Sequence, residues 1–377
     1  MDFGVYIHVP FCRVQCPYCT FYTVLKPQTA SPMQTFLQAL DQEWRLRVRP
    51  RLQRGDRMRT LYLGGGTPSD LPVANLVAQL QSWGDELRQH DIAALSGLDE
   101  VTIECNPESA TAEFLDGLLQ VGVHRVSLGV QALVDDDLKV LGRGSDAATV
   151  RKSLQEVSDR FDNWNADWIV GVPQSSWQRL QNGLEELMPF EPPHLSFYCL
   201  EMPPAQALKL GDIPGEDSDA FKADLYVRTS EWVEQQGYEH YEISNAARAG
   251  FQAQHNQSYW EGRDYVGLGP GAHSLEAGHR RANRPDVRRW QEALLEGNDA
   301  PFSLEKLDAS KRHHEALMLG LRRRSGISLH EMGLEGERPL VDKMVQEGLA
   351  RLQGDRLQLT PQGWMVSDSI VLQLVAV

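Results

Sequence analysis

The sequence predicts an α/β protein with a parallel sheet, followed by a C-terminal region of different character. Strand-like runs alternate with helical patterns through the first half of the chain, and the connections between them are short. The alternation gives about six β/α units, which an open doubly wound sheet or a partial barrel would both satisfy. The strand-like runs are Val5–Pro10, Thr60–Leu63, Val101–Glu104, Arg125–Leu128, Trp168–Val170 and His194–Tyr198.

Length and composition are those of an ordinary globular protein. The 377 residues suffice for one large domain with an appendage or for two to three domains, and 41% of them are hydrophobic and 24% charged. A formal net charge of -15 argues against general nucleic-acid binding, which needs a basic surface. No apolar run approaches the ~20 residues of a membrane-spanning helix, and no signal peptide is recognisable, so we expect a cytoplasmic protein.

The first strand runs into a cluster of three cysteines. Cys12, Cys16 and Cys19 stand in Cys-x3-Cys-x2-Cys spacing on a proline-containing loop. Iron–sulfur clusters usually take four cysteine ligands, so three thiolates would leave one iron of a four-iron cluster open. A zinc site with His8 as fourth ligand is the alternative, but His8 lies inside the strand-like run. A disulfide is disfavoured in a reducing compartment.

Helical patterns follow the strands. Ser31 and Gln34 form a capping-box pattern, and Pro32 suits the first helical turn. The second strand runs into Gly64–Thr67, where glycines would allow a ligand close to the backbone and leave N–H groups free. A phosphate-binding loop is the generic alternative, although the lysine of a Walker motif is missing. Later helical patterns cover residues 71–80, 114–119, 149–157, 180–187 and 220–235.

The cysteine spacing, with Tyr18 directly before the last cysteine, resembles the radical S-adenosylmethionine (SAM) superfamily. The block Tyr6–Cys12 further resembles the branch of oxygen-independent coproporphyrinogen dehydrogenases (HemN) and the related haem chaperones (HemW). The resemblance implies a partial (β/α)6 barrel and a [4Fe–4S] cluster on Cys12, Cys16 and Cys19, with SAM chelating the open iron. Ligands then belong at the C-terminal ends of the strands.

The same resemblance implies the SAM contacts. In this superfamily a glycine motif holds the SAM amino group, a strand-end carboxylate accepts hydrogen bonds from the ribose, and a guanidinium suits the SAM carboxylate. The matching residues of this chain are Tyr6, Tyr18, Gly65, Gly66, Thr67, Glu104, Gln131, Arg143 and Asp167. Asp167 is expected to open its strand. The remaining cysteines, Cys105 and Cys199, have no partner spacing and are expected to be small buried residues.

We expect three regions along the chain. Residues 1–235 would form the radical SAM core, 236–300 an aromatic and glycine-rich connecting region, and 301–377 a HemN-type C-terminal domain. Within the first region, Glu201–Asp219 carries several prolines and is expected to be a long connection.

The C-terminal region has the pattern of a winged-helix-like α+β domain. Two helices, Lys306–Leu321 and Leu340–Glu347, precede a hairpin signal around Gln353–Asp355, and Thr360 is a candidate cap of a final helix. Such a domain could bind DNA, with Arg322–Arg324 as its basic patch, which would make the protein a regulator. The resemblance favours a domain that covers the mouth of the barrel.

The resemblance leaves two main functions open. The dehydrogenases have a further cysteine two residues after the triplet and an N-terminal extension, whereas this chain has Phe21 there and five residues before Tyr6. Residues 255–260 match the His-Asn-x-x-Tyr-Trp motif associated with the haem chaperones, and imidazole is a common axial ligand of haem iron. We therefore expect a haem chaperone with His255 as haem ligand, and keep coproporphyrinogen III dehydrogenase as the alternative. Its expected partners are haem, haem-receiving apoproteins, an electron donor such as flavodoxin or ferredoxin, and a second copy in a homodimer, but no nucleic acid.

Overall fold

The computed structural model describes residues 1–201 and 219–375. Its first part alternates strands and helices, as the sequence predicts. The strands are β1 (Asp2–Val9), β2 (Phe11–Cys12), β3 (Val24–Leu25), β4 (Arg57–Gly65), β5 (Glu100–Cys105), β6 (Arg125–Gln131), β7 (Trp164–Val170) and β8 (His194–Cys199). The helices are α1 (Ser31–Arg47), α2 (Arg49–Gln53), α3 (Val73–Arg88), α4 (Ala112–Gln120), α5 (Asp135–Val140), α6 (Ala147–Ser158) and α7 (Trp177–Leu187).

The second part of the chain begins with the predicted helix near residues 220–235. The expected connection Glu201–Asp219 falls almost wholly on residues 202–218, which lie outside the described residues. The elements that follow are α8 (Asp219–Gln235), β9 (Glu239–Glu242), β10 (Asn245–Ala247), α9 (Gln254–Trp260), β11 (Tyr265–Leu268), β12 (His273–Glu276), β13 (His279–Asn283), α10 (Val287–Leu295) and β14 (Phe302–Lys306).

The C-terminal part is a small α+β unit. Three antiparallel strands pair in the order β15-β17-β16, and helices pack around them. Thr360 caps the helix that begins at Pro361, since its side chain accepts a hydrogen bond from the Gly363 N–H (3.2 Å), as predicted. The elements are α11 (Ala309–Leu321), β15 (Ile327–Ser328), α12 (Arg338–Gln346), β16 (Ala350–Gln353), β17 (Arg356–Leu359), α13 (Pro361–Met365) and α14 (Ser367–Val375).

One large sheet contains most of the remaining strands. Its order is β14-β13-β12-β11-β1-β4-β5-β6-β7-β8-β10-β9, and the stretch from β11 to β8 is parallel throughout. Because β14 and β9 stand at opposite ends of this order, the barrel is partial, which confirms the predicted fold. The C-terminal ends of β4, β5 and β6 therefore meet at one edge, beside the loop that follows β1.

The connecting region of residues 236–300 extends both ends of the parallel sheet. β10 pairs antiparallel with β8 at one end, and β11 pairs parallel with β1 at the other. The buried carboxylate of Glu43 on α1 holds the second end in place, because it accepts hydrogen bonds from the Gly269 N–H (2.7 Å), Asn283 Nδ2 (2.7 Å) and Trp290 Nε1 (3.0 Å). Local periodicity did not predict these strands.

Helix α1 packs its apolar face against the sheet, as its sequence pattern predicts. Trp44 is fully buried and stacks on Trp83 of α3 with ring centroids 4.5 Å apart. The capping-box prediction is wrong, however. Ala30 is the N-cap and no side chain caps this helix, because the first intrahelical hydrogen bond runs from the Gln34 N–H to the Ala30 carbonyl (3.0 Å) and so makes Ser31 the first helical residue.

The basic run Arg322–Arg324 forms ion pairs with acidic residues of the same chain. Arg322 pairs with Asp368 (2.8 Å), Arg323 pairs with Glu261 (3.4 Å), and Arg324 pairs with Glu234. These contacts join α11 to α14, to the end of α9 and to α8. Among the helices of the described ranges, none has the length and apolar character needed to cross a membrane.

Candidate cofactor site

A cavity of about 710 Å³ lies at the C-terminal ends of the parallel strands. Its lining comes from the cysteine loop, from the ends of β4 to β8, and from the C-terminal helices. Most of the site residues predicted from the sequence contribute to it, although they come from distant parts of the chain. Those that line it are Cys12, Cys16, Tyr18, Cys19, Gly65, Gly66, Thr67, Glu104, Gln131, Arg143 and Asp167.

The cysteine loop is closed at its base by a short parallel pairing. The Val24 N–H bonds to the Pro10 carbonyl and the Lys26 N–H to the Cys12 carbonyl, both at 2.8 Å. Burial raises the pKa of the Cys12 thiol to about 11, and the neighbouring Cys19 and Cys16 thiols add to this, although a hydrogen bond from Thr67 Oγ1 (3.6 Å) opposes it. Thiols brought together in this way ionise when a metal neutralises them.

His8, the alternative zinc ligand, is engaged elsewhere. Its Nδ1 lies 3.1 Å from the Tyr6 hydroxyl, and its Nε2 lies 2.8 Å from the Tyr22 carbonyl. Across the described ranges, no group of three or more His, Cys, Asp and Glu side chains converges closely enough to hold a single metal ion.

The glycine loop after β4 packs against the chain at the end of β1. A Cβ on Gly65, whose φ is +105°, would stand 2.4 Å from the His8 ring, and a Cβ on Gly66 would stand 2.7 Å from the Val9 carbonyl oxygen. The Gly65 N–H bonds to Glu104 Oε2 (2.9 Å) and the Gly66 N–H to the Val9 carbonyl (2.7 Å). The expectation of free N–H groups is therefore wrong. A ligand amino group is itself a hydrogen-bond donor and would bond to carbonyl oxygens of this loop.

Asn106 links two predicted site residues and was missed from the sequence. Its Nδ2 donates to Thr67 Oγ1 (2.9 Å), and its Oδ1 accepts from Arg143 Nη2 (2.7 Å). Arg143 also donates to the Gly129 carbonyl (3.2 Å), and its Nη1 lies 4.0 Å from Cys16 Sγ. The position of Asn106, directly after β5 and two residues beyond Glu104, was the available signal.

Two carboxyl groups lie in the inner part of the cavity. Glu104 accepts hydrogen bonds from the Tyr62 hydroxyl (2.8 Å) and from the Gly65 N–H, while burial and the neighbouring Asp167 raise its pKa to about 7. Asp167 accepts from Asn165 Nδ2 (2.8 Å) and Ser127 Oγ (3.1 Å), and burial raises the pKa of this carboxyl too. Asp167 does not open its strand as expected, because β7 already begins at Trp164.

Gln131 ends β6 with an unused acceptor. Its backbone has a φ of +64°, which is uncommon for a residue other than glycine, and its buried Oε1 has no hydrogen-bond partner in the described part of the chain. A ligand donor would satisfy this oxygen. Together with the three thiols, the Arg143 guanidinium and the two carboxyls, this oxygen gives a set of groups that suits a ligand with an amino group, a carboxylate and sugar hydroxyls.

Two predicted site residues lie outside the cavity lining. Tyr6 stands behind it, with its ring 6.1 Å from that of Tyr62. His255 is fully buried, and its Nδ1 lies 2.7 Å from Thr60 Oγ1 while its Nε2 lies 2.7 Å from the Tyr259 hydroxyl. Both ring nitrogens of the predicted haem ligand are therefore engaged inside the protein. From the same motif, Asn256 does reach the cavity.

The C-terminal domain supplies part of the cavity lining. Trp364, Met365 and Val366 face the same space as the end of β8. There Cys199 contacts Met365, with the two sulfur atoms 3.9 Å apart. The expectation of a buried Cys199 is wrong, because β8 ends at the cavity and leaves this side chain partly exposed, whereas Cys105 is buried as expected.

The family comparisons agree with this geometry. Residues 6–187 match the radical SAM superfamily, and residues 307–366 match the HemN C-terminal domain. The fold and the cysteine site thus define a radical SAM protein.

Relatives that match over nearly their full length show to which branch of the superfamily the chain belongs. The chain is 32% identical to the heme chaperone HemW of Mycobacterium tuberculosis, over 99% of this chain and 95% of that protein. It is 28% identical to the heme chaperone HemW of Bacillus subtilis, over 97% of each. The chain belongs to the HemN/HemW branch of the radical SAM superfamily. Its fold matches coproporphyrinogen III oxidase (HemN) from Escherichia coli with a TM-score of 0.78 at 20% identity, over 99% of this chain and 89% of that one.

Glu104 should make the stability of the chain depend on pH. Because its pKa rises from an ordinary value of 4.5 to about 7, the folded state binds more protons than the unfolded state between these values, and stability falls as pH rises through this window. Relative to Glu104→Gln, the unmodified protein should lose roughly 1–3 kcal/mol of unfolding free energy across it. Urea unfolding of cluster-free protein at a series of pH values measures this loss.

The matched control for this measurement is Glu185→Gln. Glu185 is an exposed glutamate of α7 and is not among the residues that line the cavity, so this variant should follow the pH profile of the unmodified protein. Identical profiles for Glu104→Gln and Glu185→Gln would contradict the assignment of a raised pKa to Glu104.

Proposed function

We propose that the chain binds a [4Fe–4S] cluster through Cys12, Cys16 and Cys19, with SAM beside it. The support is the donor set of the cavity, where the three thiols stand on one loop and leave a four-iron cluster with an open position. When bound, the cluster and SAM supply one-electron chemistry that yields a 5′-deoxyadenosyl radical. His8 does not act as a fourth, zinc-type ligand in this conformation, because both of its ring nitrogens are hydrogen-bonded, one to the Tyr6 hydroxyl and one to the Tyr22 carbonyl.

The residues around the cysteine loop would orient SAM. Arg143, beside Cys16, suits the carboxylate of SAM, and the unpartnered Gln131 oxygen suits a donor of the same ligand. Glu104 retains acceptor capacity for ribose hydroxyls, since a carboxylate offers about four lone-pair sites and two are used. Gly66 and Thr67 also line this part of the cavity. Tyr6 does not line the cavity, so a direct contact between Tyr6 and SAM stays a prediction.

We further propose that the protein is a haem chaperone that carries haem and delivers it to apoproteins. The observation that carries this proposal is the full-length similarity to the heme chaperones. The cavity supports it with exposed side chains that offer apolar contact area to a macrocycle, two of them aromatic: Val14, Phe21, Tyr198 and Val366 line the cavity and are each at least 40% exposed. A flavodoxin or ferredoxin as electron donor, a homodimer and a cytoplasmic location remain predictions.

Coproporphyrinogen III dehydrogenase is the second candidate. The observation in its favour is that the C-terminal domain borders the cavity of a barrel with the HemN fold, so a tetrapyrrole and SAM would share one space. The absence of a fourth cysteine at Phe21 weighs against it.

Removing the three cysteine thiols should abolish the cluster. After anaerobic reconstitution, the Cys12→Ala, Cys16→Ala, Cys19→Ala triple variant should lose its iron–sulfur absorbance and its bound iron, and SAM binding measured by calorimetry should fall because the open iron is gone. Cys105→Ala removes a thiol from the same cavity and should keep both. Iron retained by the triple variant, or stoichiometric zinc in the native protein, would refute the cluster assignment.

Haem binding and porphyrinogen oxidation can be separated on one anaerobically reconstituted sample. We expect a Soret band on haem addition, transfer of that haem to an apo-globin, and no oxidation of coproporphyrinogen III with SAM and a reductant present. The triple cysteine variant shows which of these steps needs the cluster. Stoichiometric vinyl product without stable haem binding would favour the dehydrogenase.

His255 can be tested against its own hydrogen-bond partner. If its imidazole is an axial ligand of haem, His255→Ala should shift the Soret band and lower transfer, whereas Thr60→Val should leave the band in place, because it removes only the contact to Nδ1. Coordination requires Nε2 to leave the Tyr259 hydroxyl. Equal losses of haem binding and of melting temperature in both variants would assign His255 a structural role instead.

A further inference from the structure

One end of the large sheet is open. β14 is the last strand at that end, and it pairs on one side only, with β13. All five of its residues are exposed, among them two large apolar side chains, Leu304 at 61% and Phe302 at 41%. Residues 309–314 at the start of α11 are exposed as well. An exposed apolar edge strand presents unpaired backbone groups with which another strand can pair.

The opposite end of the same sheet is covered by the chain itself. β9 stands at that end, and the segment after α11 lies along it. Glu242 of β9 forms an antiparallel bridge with Arg323, and the Arg324 N–H bonds to the Tyr241 carbonyl (2.9 Å). Three of the four residues of β9 are buried. Within residues 1–201 and 219–375, no segment covers β14 in this way, so the two ends of the sheet differ.

The hydrogen-bond pattern shows which backbone groups of β14 face outward. The ladder between β13 and β14 is hydrogen-bonded at Pro301, whose carbonyl accepts from the Arg284 N–H (2.8 Å), and at Leu307, whose N–H bonds to the residue before β13 (2.9 Å). Hydrogen-bonded and non-hydrogen-bonded pairs alternate along an antiparallel ladder, so Ser303 and Glu305 bond to β13. The other three residues of the strand therefore direct their N–H and C=O groups away from the sheet: Phe302, Leu304 and Lys306.

These outward groups are arranged symmetrically about Leu304. In an antiparallel pair of two β14 strands, Leu304 can meet Leu304 of the partner subunit on a two-fold axis, and Phe302 then lies opposite Lys306 of the partner subunit. All three outward N–H and all three outward C=O groups of each strand find a partner in this register. A second copy of the chain thus supplies an unpaired edge of the same length with matching hydrogen-bond positions.

The side chains of β14 also suit this self-pairing. Two exposed leucines meet at the axis, and Phe302, whose ring stacks on the Arg281 guanidinium (3.7 Å), faces the aliphatic stem of Lys306 of the partner subunit. On the other face of the strand, Glu305 pairs with a lysine of α11 (2.6 Å) and would lie opposite Ser303 of the partner subunit. No like charges stand directly opposite each other in this register.

We propose that two copies of this chain associate through their β14 strands, paired antiparallel with Leu304 on the two-fold axis. The two large sheets are thereby joined edge to edge. This inference goes beyond the proposed cofactor and haem binding, and it gives the predicted homodimer its contact surface. One five-residue strand and the exposed start of α11 form a small interface, so the dimer dissociates on dilution.

The two-fold axis allows a test by charge reversal at a single position. In sedimentation equilibrium over a concentration series, the unmodified protein should pass from monomer to dimer. Leu304→Lys and Leu304→Glu each place like charges directly opposite each other, so each should raise the dimer dissociation constant at least about tenfold. An equimolar mixture of the two variants should restore association, because the introduced lysine then faces the introduced glutamate.

The matched control is Leu372→Lys, which adds the same charge at another exposed leucine, one on α14 that is 69% exposed. It should dimerise as the unmodified protein does. A dimer that survives in both Leu304 variants, a mixture that stays monomeric, or an unmodified protein that is monomeric at every concentration would overturn the proposal. Iron–sulfur absorbance and haem binding, measured on the same anaerobically reconstituted samples, report separately on the proposed function.

Discussion

The close approach of the glycine loop to the end of β1 is the contact on which the site depends. The N–H groups of Gly66 and Thr67 bond to the carbonyls of Val9 and Phe11, each at 2.7 Å, and the His8 ring fills the space that a Gly65 side chain would need. A Cβ at either glycine would push the two segments apart. The cysteine loop starts directly after Phe11, so this contact determines where the thiols stand relative to the barrel.

A chain of side-chain hydrogen bonds carries this placement across the mouth of the barrel. Thr67 contacts Cys12 on one side and Asn106 on the other, and Asn106 holds Arg143 beside Cys16. The thiols, the hydroxyl and the guanidinium are thus oriented by each other before any ligand binds. Such preorganisation lowers the entropic cost of fixing these side chains when a ligand binds.

The His-Asn-x-x-Tyr-Trp stretch belongs to the framework of the barrel as well as to its cavity. His255 bonds to Thr60 of β4, and the carboxylate of Glu100 on β5 accepts from the Gln254 N–H (2.7 Å) at the start of α9. The stretch therefore fastens the connecting region to two parallel strands. Only Asn256 of the motif residues faces the cavity, which separates the sequence motif from the ligand-contacting surface in this conformation.

The sequence by itself determined the β/α alternation, the cysteine loop and part of the cavity lining, because these depend largely on local spacing or on residues placed just after a strand. The tertiary structure alone decided that β11 pairs with β1, that Asn106 joins Thr67 to Arg143, that Cys199 faces the cavity, and that both His255 nitrogens are engaged. It also decided that the buried Arg125 Nε has no hydrogen-bond acceptor within residues 1–201 and 219–375. These outcomes depend on contacts between residues far apart in the chain, and hydrophobic periodicity carries no information about which distant groups meet.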